Sequence, residues 1–207
     1  MTDSSRRPRK APRQARSQAT VSVILDATAL LLVAEDYQQI TTNRIAERAG
    51  VSIGSLYQYF PNREAVVGLL KTRTEAEISE AVWRDLMDTD RLNLREFVNF
   101  VLRTAVGRHA RDLPLLQALM QNTSGPNPLQ GPSHRLPQRQ GLLRVMLDNR
   151  ADQLRPDFDR EAGSFFILTM VRSALNAAIP HRSDAFANGE LERELTIILS
   201  YYLMGER

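Results

Sequence analysis

Residues 41–63 read TTNRIAERAGVSIGSLYQYFPNR, and the punctuation of this stretch decides the fold. Thr42 can cap a helix running to Ala49, because its hydroxyl can accept a hydrogen bond from a first-turn N–H that has no partner within the helix. Gly50 stops that helix, since the residue after a helix commonly takes a positive φ that costs glycine nothing. Ser52 offers the next N-cap, so the connection is three or four residues long. Ile45, Ala46 and Ala49 share a face of the first helix, Leu56 and Phe60 share a face of the second, and Val51 fits the angle between them. The outer side of the second helix is left with Gly54, Ser55, Tyr57, Gln58 and Tyr59. Hydroxyls, an amide and two phenols without an acid suit phosphates and base edges. Pro61 ends the segment and Asn62 can cap a further helix, which places Arg63 in a first turn, where cation and helix N-terminus both attract phosphate. Taken alone, the spacing also fits an ordinary αα-turn with a solvated polar face.

Outward from this motif the chain is helical in period. Val21, Ile24, Leu25, Leu31 and Leu32 form the stripe of a leading helix from Gln18. A long helix is predicted from Asn62 to about Met87, with Val66, Leu69, Leu70, Ile78, Val82 and Trp83 on its inner side, as a rigid connection. Further helices are predicted over 93–109, 112–122, 136–153, 157–179 and 190–204, without a strand signal. SGPNPLQGPSHRLP, residues 124–137, holds four prolines and two glycines and reads as a loop. The expected fold is all-α: a basic arm over 1–16, a three-helix helix-turn-helix domain over 17–62 and a helical domain over 63–207. With 43 % apolar residues, 207 residues suffice for a substantial core.

Charge is unevenly spread. Lysine and arginine number 27 against 24 acids, a net +3. Residues 1–16 hold Arg6, Arg7, Arg9, Lys10, Arg13 and Arg16 against Asp3 alone, so residues 17–207 sum to −2. With Pro8 and Pro12 and few apolar residues, this arm is expected to be disordered when free. Beside a DNA-binding domain it would follow phosphates or enter the minor groove. An organellar leader or a merely solvated tail has the same composition.

Other chemistries find little purchase. The chain has no cysteine, which excludes disulfides and thiolate metal sites and fits a cytoplasmic location. No uninterrupted apolar run approaches the roughly 18 residues of a membrane span, so no membrane partner is expected. His109, His134 and His181 are widely spaced, with no metal-ligand cluster, phosphate loop or dinucleotide fingerprint, so neither enzyme activity nor a cofactor is expected. Gly50-Val51-Ser52-Ile53-Gly54 satisfies the G-x-S-x-G pattern of hydrolases, but the charged helical run NRIAERA stands where a nucleophile elbow needs a strand. Asn122-Thr123-Ser124 matches a glycosylation sequon, which carries no meaning inside a cell.

The run ILDATALLLVAEDYQQITTNRIAERAGVSIGSLYQYFPNREAVVGLL, residues 24–70, resembles the DNA-binding domain of the tetracycline repressor (TetR) family. Agreement falls at Tyr37, Thr41-Thr42, Ile45-Ala46, Ala49-Gly50-Val51-Ser52, Leu56-Tyr57 and Tyr59-Phe60, without a gap. Asp36 departs, where the family usually has glycine, and aspartate is among the residues that tolerate a left-handed turn. The resemblance implies that Thr42, Tyr59 and Arg63 bind phosphates. It places Asn43, Ile53, Gly54, Ser55, Tyr57 and Gln58 near bases or the adjacent backbone of a double-stranded operator. It also implies a homodimer that sets two recognition helices one DNA turn apart, on a palindrome. The two C-terminal helices would form the interface through Phe165, Leu168, Val171, Leu175, Leu195, Ile198 and Tyr202. Finally it implies repression relieved by a small-molecule effector in the C-terminal domain, with Trp83, Phe97, Phe100, His109, Met120, Met146 and Phe166 as candidate pocket residues. A nucleoid-type protein that binds any duplex, and has no effector, is the competing class.

Overall fold

The computed structural model describes residues 12–122 and 136–205, and its regular structure there is entirely helical. In chain order the helices are α1 (Pro12–Ala34), α2 (Thr42–Ala49), α3 (Ile53–Tyr57), α4 (Arg63–Leu86), α5 (Leu94–Arg111), α6 (Leu113–Asn122), α7 (Leu136–Asp148), α8 (Arg160–His181) and α9 (Glu190–Met204). Two compact units divide at Lys71/Thr72, a boundary that falls within α4 and not ahead of it, at 62/63, as the sequence reading has it.

The first unit is built around Ile24, Leu25, Leu31 and Leu32 of α1, Ile45 and Ala46 of α2, Leu56 and Phe60 at α3, and Val66, Val67 and Leu70 of α4, all buried. Leu69, expected on the inner side, is 43 % exposed, one position off the buried 66, 67, 70 pattern. α1 begins at Pro12, so positions 13 and 16 of the expected disordered arm are helical; proline suits a first helical turn, where its missing N–H costs nothing. Residues 1–11 of that arm lie outside the described residues, as do His134 and positions 123–124 of the sequon. Asp36 has φ −63° and ψ 134°, so it is extended and the left-handed turn expected there is not formed.

The second unit holds two apolar clusters. One gathers Leu94, Phe97 and Leu102 of α5, Leu143, Met146 and Leu147 of α7, Ile167 of α8 and Leu195, Leu199 and Leu203 of α9. The other joins Ile78, Val106, Leu116, Leu175, Ile179 and Phe186. α7 starts at Leu136, with Pro137 in its first turn, and stops at Asp148 instead of 153. The stop is fixed by Arg150, whose guanidinium is buried and turned inward onto three backbone carbonyls. It donates to Leu92 O at 2.9 Å, to Met146 O at 2.6 Å and to Thr89 O, and it covers the Phe97 ring. Burial lowers its pKa. α8 starts three residues later than expected because Asp159 caps it, accepting from the Glu161 and Ala162 N–H groups. Gly163 in its first turn lies under the Phe158 ring, and a Cβ there would overlap that ring.

By length and composition Arg16–Ala34 and Arg160–His181 are each apolar enough to cross a membrane, with mean hydropathies of 1.6 and 1.4. Polar residues interrupt both, so neither shows as an unbroken apolar run in the sequence. In this fold α1 and α8 supply buried residues to their own units.

Candidate nucleic-acid interface

The motif is assembled by caps. Thr41, not Thr42, caps α2: its side chain accepts from the Arg44 N–H at 3.2 Å while its backbone stays extended. The shift has a use, because Thr42 becomes the first helical residue and its hydroxyl is released outward, where it lies 3.0 Å from the Tyr57 hydroxyl. Gly50 ends α2 in the left-handed region at φ 66°. Ser52 caps α3, accepting from the Ser55 N–H at 3.1 Å. The Ser52 and Ser55 hydroxyls are themselves 2.8 Å apart, so Ser55 is engaged within the motif. Ile53, Gly54, Tyr57, Gln58 and Tyr59 are exposed, as is Asn43 on α2; Thr42 and Ser55 are half-buried. The ensemble is one polar surface without a carboxylate from Ser52 to Arg63.

Arg63 has a tighter position than its sequence context indicates. Asn62 caps α4 by accepting from Ala65 N–H at 2.8 Å. From the first turn so formed, Arg63 Nη1 donates to the carbonyls of Tyr37 and Ile40, both at 2.9 Å, and the guanidinium carbon stands 3.9 Å over the Tyr37 ring. Nε and Nη2 turn to Glu64 at 3.3 and 3.1 Å. The side chain expected to reach for phosphate is thus a clasp between the start of α4 and the turn ahead of α2. Sequence reading missed it because the acceptors are backbone atoms 23 and 26 residues away.

A second clasp joins α1 to α2. Arg44 grips Glu35 with Nε to Oε2 at 2.7 Å and Nη2 to Oε1 at 2.6 Å, a two-pronged geometry that lowers the Glu35 pKa and raises that of Arg44. It fixes α2 against the end of α1 and engages the exposed guanidinium of Arg44.

In the second unit the seven candidate pocket residues separate. Phe97, Met146 and the partly buried Trp83 meet in the larger cluster, whereas Met120 packs on the other. Phe100 and Phe166 are 37 % and 58 % exposed, which removes them from the interior. Phe100 follows the buried Phe97 and Val98 off the packed face of α5, and Phe166 lies opposite Leu175 on α8. His109 is half-buried, with Nδ1 2.7 Å from Ala105 O, and burial lowers its pKa. Of the seven expected interface residues, Leu175 and Leu195 are buried in the chain's own core and cannot face a partner. Leu168, Val171 and Tyr202 are partly buried against the larger cluster. Phe165 and Ile198 are exposed, joined by Phe166, Ile197 and Tyr201, which the sequence reading did not choose.

Residues 24–69 match the family described as bacterial regulatory proteins, tetR family. No curated protein sequence matches the chain. Among solved structures it is similar to a TetR family transcription regulator from Marinobacter aquaeolei VT8, at 14 % identity and a TM-score of 0.59 over 92 % of this chain and 98 % of that one. It is also similar to the fatty acid degradation regulator FadR from Bacillus halodurans, at 18 % identity and 0.58 over 90 % and 99 %. The Thermus thermophilus FadR, a TetR-family repressor in complex with lauroyl-CoA, follows at 24 % identity and 0.57 over 90 % and 97 %. The described chain therefore has the fold of these regulators. The match to the family of bacterial regulatory proteins lies in the N-terminal domain, residues 24–69.

Proposed function

We propose that this protein is a homodimeric repressor that recognises a palindromic operator and is released by a small molecule bound in its second unit. The observation that carries the reading is the exposed surface from Ser52 to Arg63, which holds no carboxylate, together with the Thr42 and Tyr57 hydroxyls preset 3.0 Å apart beside it. Thr42, Tyr57 and Tyr59 are assigned to phosphates and neighbouring backbone, and Arg63 to holding the first turn of α4 for the same contact. Direct readout falls to Asn43 and Gln58, with Ser55 as a further donor when it leaves Ser52, while Ile53 and Tyr57 meet thymine methyls across Gly54. The exposed Phe165 and Phe166 of α8 and Ile197, Ile198 and Tyr201 of α9 support pairing of these helices with a second copy, since large exposed apolar side chains favour an interface. Such a dimer sets two recognition helices about 34 to 36 Å apart. The effector acts by binding one conformation of the second unit more tightly than the other, and the protein works in the cytoplasm.

The test is to select duplexes from a random pool with the full chain and then to challenge the selected duplex with unrelated DNA. A palindromic consensus that resists the competitor supports the repressor. Equal affinity for every duplex would assign the protein to the nucleoid class instead.

A further inference from the structure

Arg172 stands apart from the other partly buried arginines of the second unit. Arg73 Nε also lacks a hydrogen bond but stands 3.5 Å from the Glu77 carboxylate, while Arg108 pairs with Asp85, Arg150 with three carbonyls and Arg155 with Tyr202 O and Asp157. Arg172, midway along α8, has no such acceptor among the described residues, and its Nε is sealed from water without a hydrogen-bond partner. One turn earlier on the same face, the Thr169 hydroxyl oxygen is also buried and unpartnered. The two flank apolar groups, with Leu168 partly buried and Leu175 and Ile179 buried on the adjoining stripe. Leaving a buried N–H donor unsatisfied is costly, and such groups mark either strain or a missing partner.

The chain supplies few candidates for that partner. α8 has one acid, Glu161, and it is already held by Arg144 at 2.7 Å and Gln140 at 3.0 Å. The segment 123–135, between α6 and α7 in the sequence, contains no aspartate or glutamate. We propose that Arg172 and Thr169 form the head-group site for a small organic monocarboxylate with an apolar body. A guanidinium presents Nε and a terminal N–H as a fork that matches both carboxylate oxygens, and the Thr169 hydroxyl adds a third donor. A single negative charge fits better than a phosphate dianion, because Arg172 is the sole lysine or arginine on α8 after Arg160 and an uncompensated second charge is expensive to bury. The apolar body would lie against Leu168, which is partly buried, since Leu175 and Ile179 are already packed in the core. This site rests on the effector reading proposed above and gives that effector a chemical class.

The experiment uses the full-length protein with sodium octanoate and sodium decanoate, and with 1-octanol and 1-decanol as neutral matches, in calorimetry and thermal melts without DNA. The acids are expected to bind at least tenfold more tightly than the alcohols. In Arg172→Met and Arg172→Gln that preference disappears, while the unliganded Arg172→Met variant melts about 2–4 °C higher because a buried donor without an acceptor is gone. Arg172→Lys keeps a weakened preference. Equal binding of acid and alcohol, no binding of either, or a preference that survives Arg172→Met overturns the site. So does a lower melting temperature with dissociation of a dimer in sedimentation, which would assign the guanidinium to a carboxylate of the second copy. Operator binding is measured separately by gel shift, so failure of the carboxylate site and failure of the regulator reading give different results.

Discussion

The hydroxyls of Thr42 and Tyr57 meet at 3.0 Å across the turn between α2 and α3, although fifteen residues separate them in sequence. Neither could be placed without the other: Thr42 is free to point outward because Thr41 takes the cap, and Tyr57 closes the last turn of a helix held by Ser52. The pair presents two hydroxyls in one orientation to whatever approaches. Tyr57→Phe keeps the ring and removes one of them. Affinity for a selected duplex is expected to fall roughly five- to tenfold, the loss of about 1 kcal/mol, with no change in the melting temperature of the free protein. Fluorescence anisotropy and a thermal melt measure the two.

Gln58 and Arg63 should fail in different ways. Gln58→Ala removes an exposed amide and is expected to shift base preference by about 1–3 kcal/mol at one operator position, leaving stability intact. Arg63→Ala deprives the carbonyls of Tyr37 and Ile40 of their donor and uncovers the Tyr37 ring. It should lower the stability of the first unit by about 2 kcal/mol, visible as faster amide exchange over residues 37–46, and weaken binding to all duplexes through that loss. Unchanged exchange with weaker DNA binding would return Arg63 to a purely phosphate-contacting role.

Deleting residues 2–10 removes Arg6, Arg7, Arg9 and Lys10. If the arm follows the phosphate backbone, affinity drops and the slope of log K against log salt becomes shallower by about 0.9 for each phosphate that the arm no longer neutralises. A solvated tail leaves the slope untouched.

His109 gives the second unit a pH dependence. Burial lowers its folded pKa, so the unfolded chain binds the proton more readily, and stability contributed by the neutral ring is present above the unfolded value near 6.5. As pH falls below that value the contribution is lost, until the folded pKa is passed. Melting temperature should therefore decline from about pH 7.5 to about pH 5, and His109→Gln should flatten that decline. A parallel decline in the variant would place the pH dependence elsewhere.

Ile198→Glu puts a charge into the exposed apolar row of α9 without touching the core. Sedimentation should report a monomer, with a far larger loss of affinity for a full palindrome than for a half-site. A dimer that persists would move the interface off this surface.

Legibility in the sequence varied with the range of the interaction. The all-helical fold, the Gly50 stop, the Ser52 cap and the Leu56/Phe60 face are local, set by residues within a turn or two of each other, and the sequence displays them directly. The choice between Thr41 and Thr42 as cap is not, because both residues offer a hydroxyl and the decision rests on where Tyr57 lies in space. Helix lengths went astray where a distant group intervenes: Arg150 ends α7 by reaching the carbonyls of residues 89 and 92. The faces of α8 were misassigned for a related cause. With apolar residues nearly all round the helix, periodicity could not separate Leu175, which is buried, from Phe166, which is not. Among the site residues, Asn43 and Gln58 were legible as exposed polar groups, whereas the engagement of Ser55 and Arg63 within the motif needed coordinates.

Arg63 also sets the grain at which the head of the molecule can deform. Its two hydrogen bonds to backbone end on Tyr37 and Ile40, and Ile40 is followed directly by Thr41, the residue that caps α2. Any rotation of the first turn of α4 is therefore transmitted, through one rigid planar group and two peptide links, to the orientation of the Thr42 hydroxyl. The outer surface of α2 and α3 and the helix behind it share a joint too short to absorb slack, so a fraction of an ångström at Arg63 reaches the Thr42 hydroxyl undiminished.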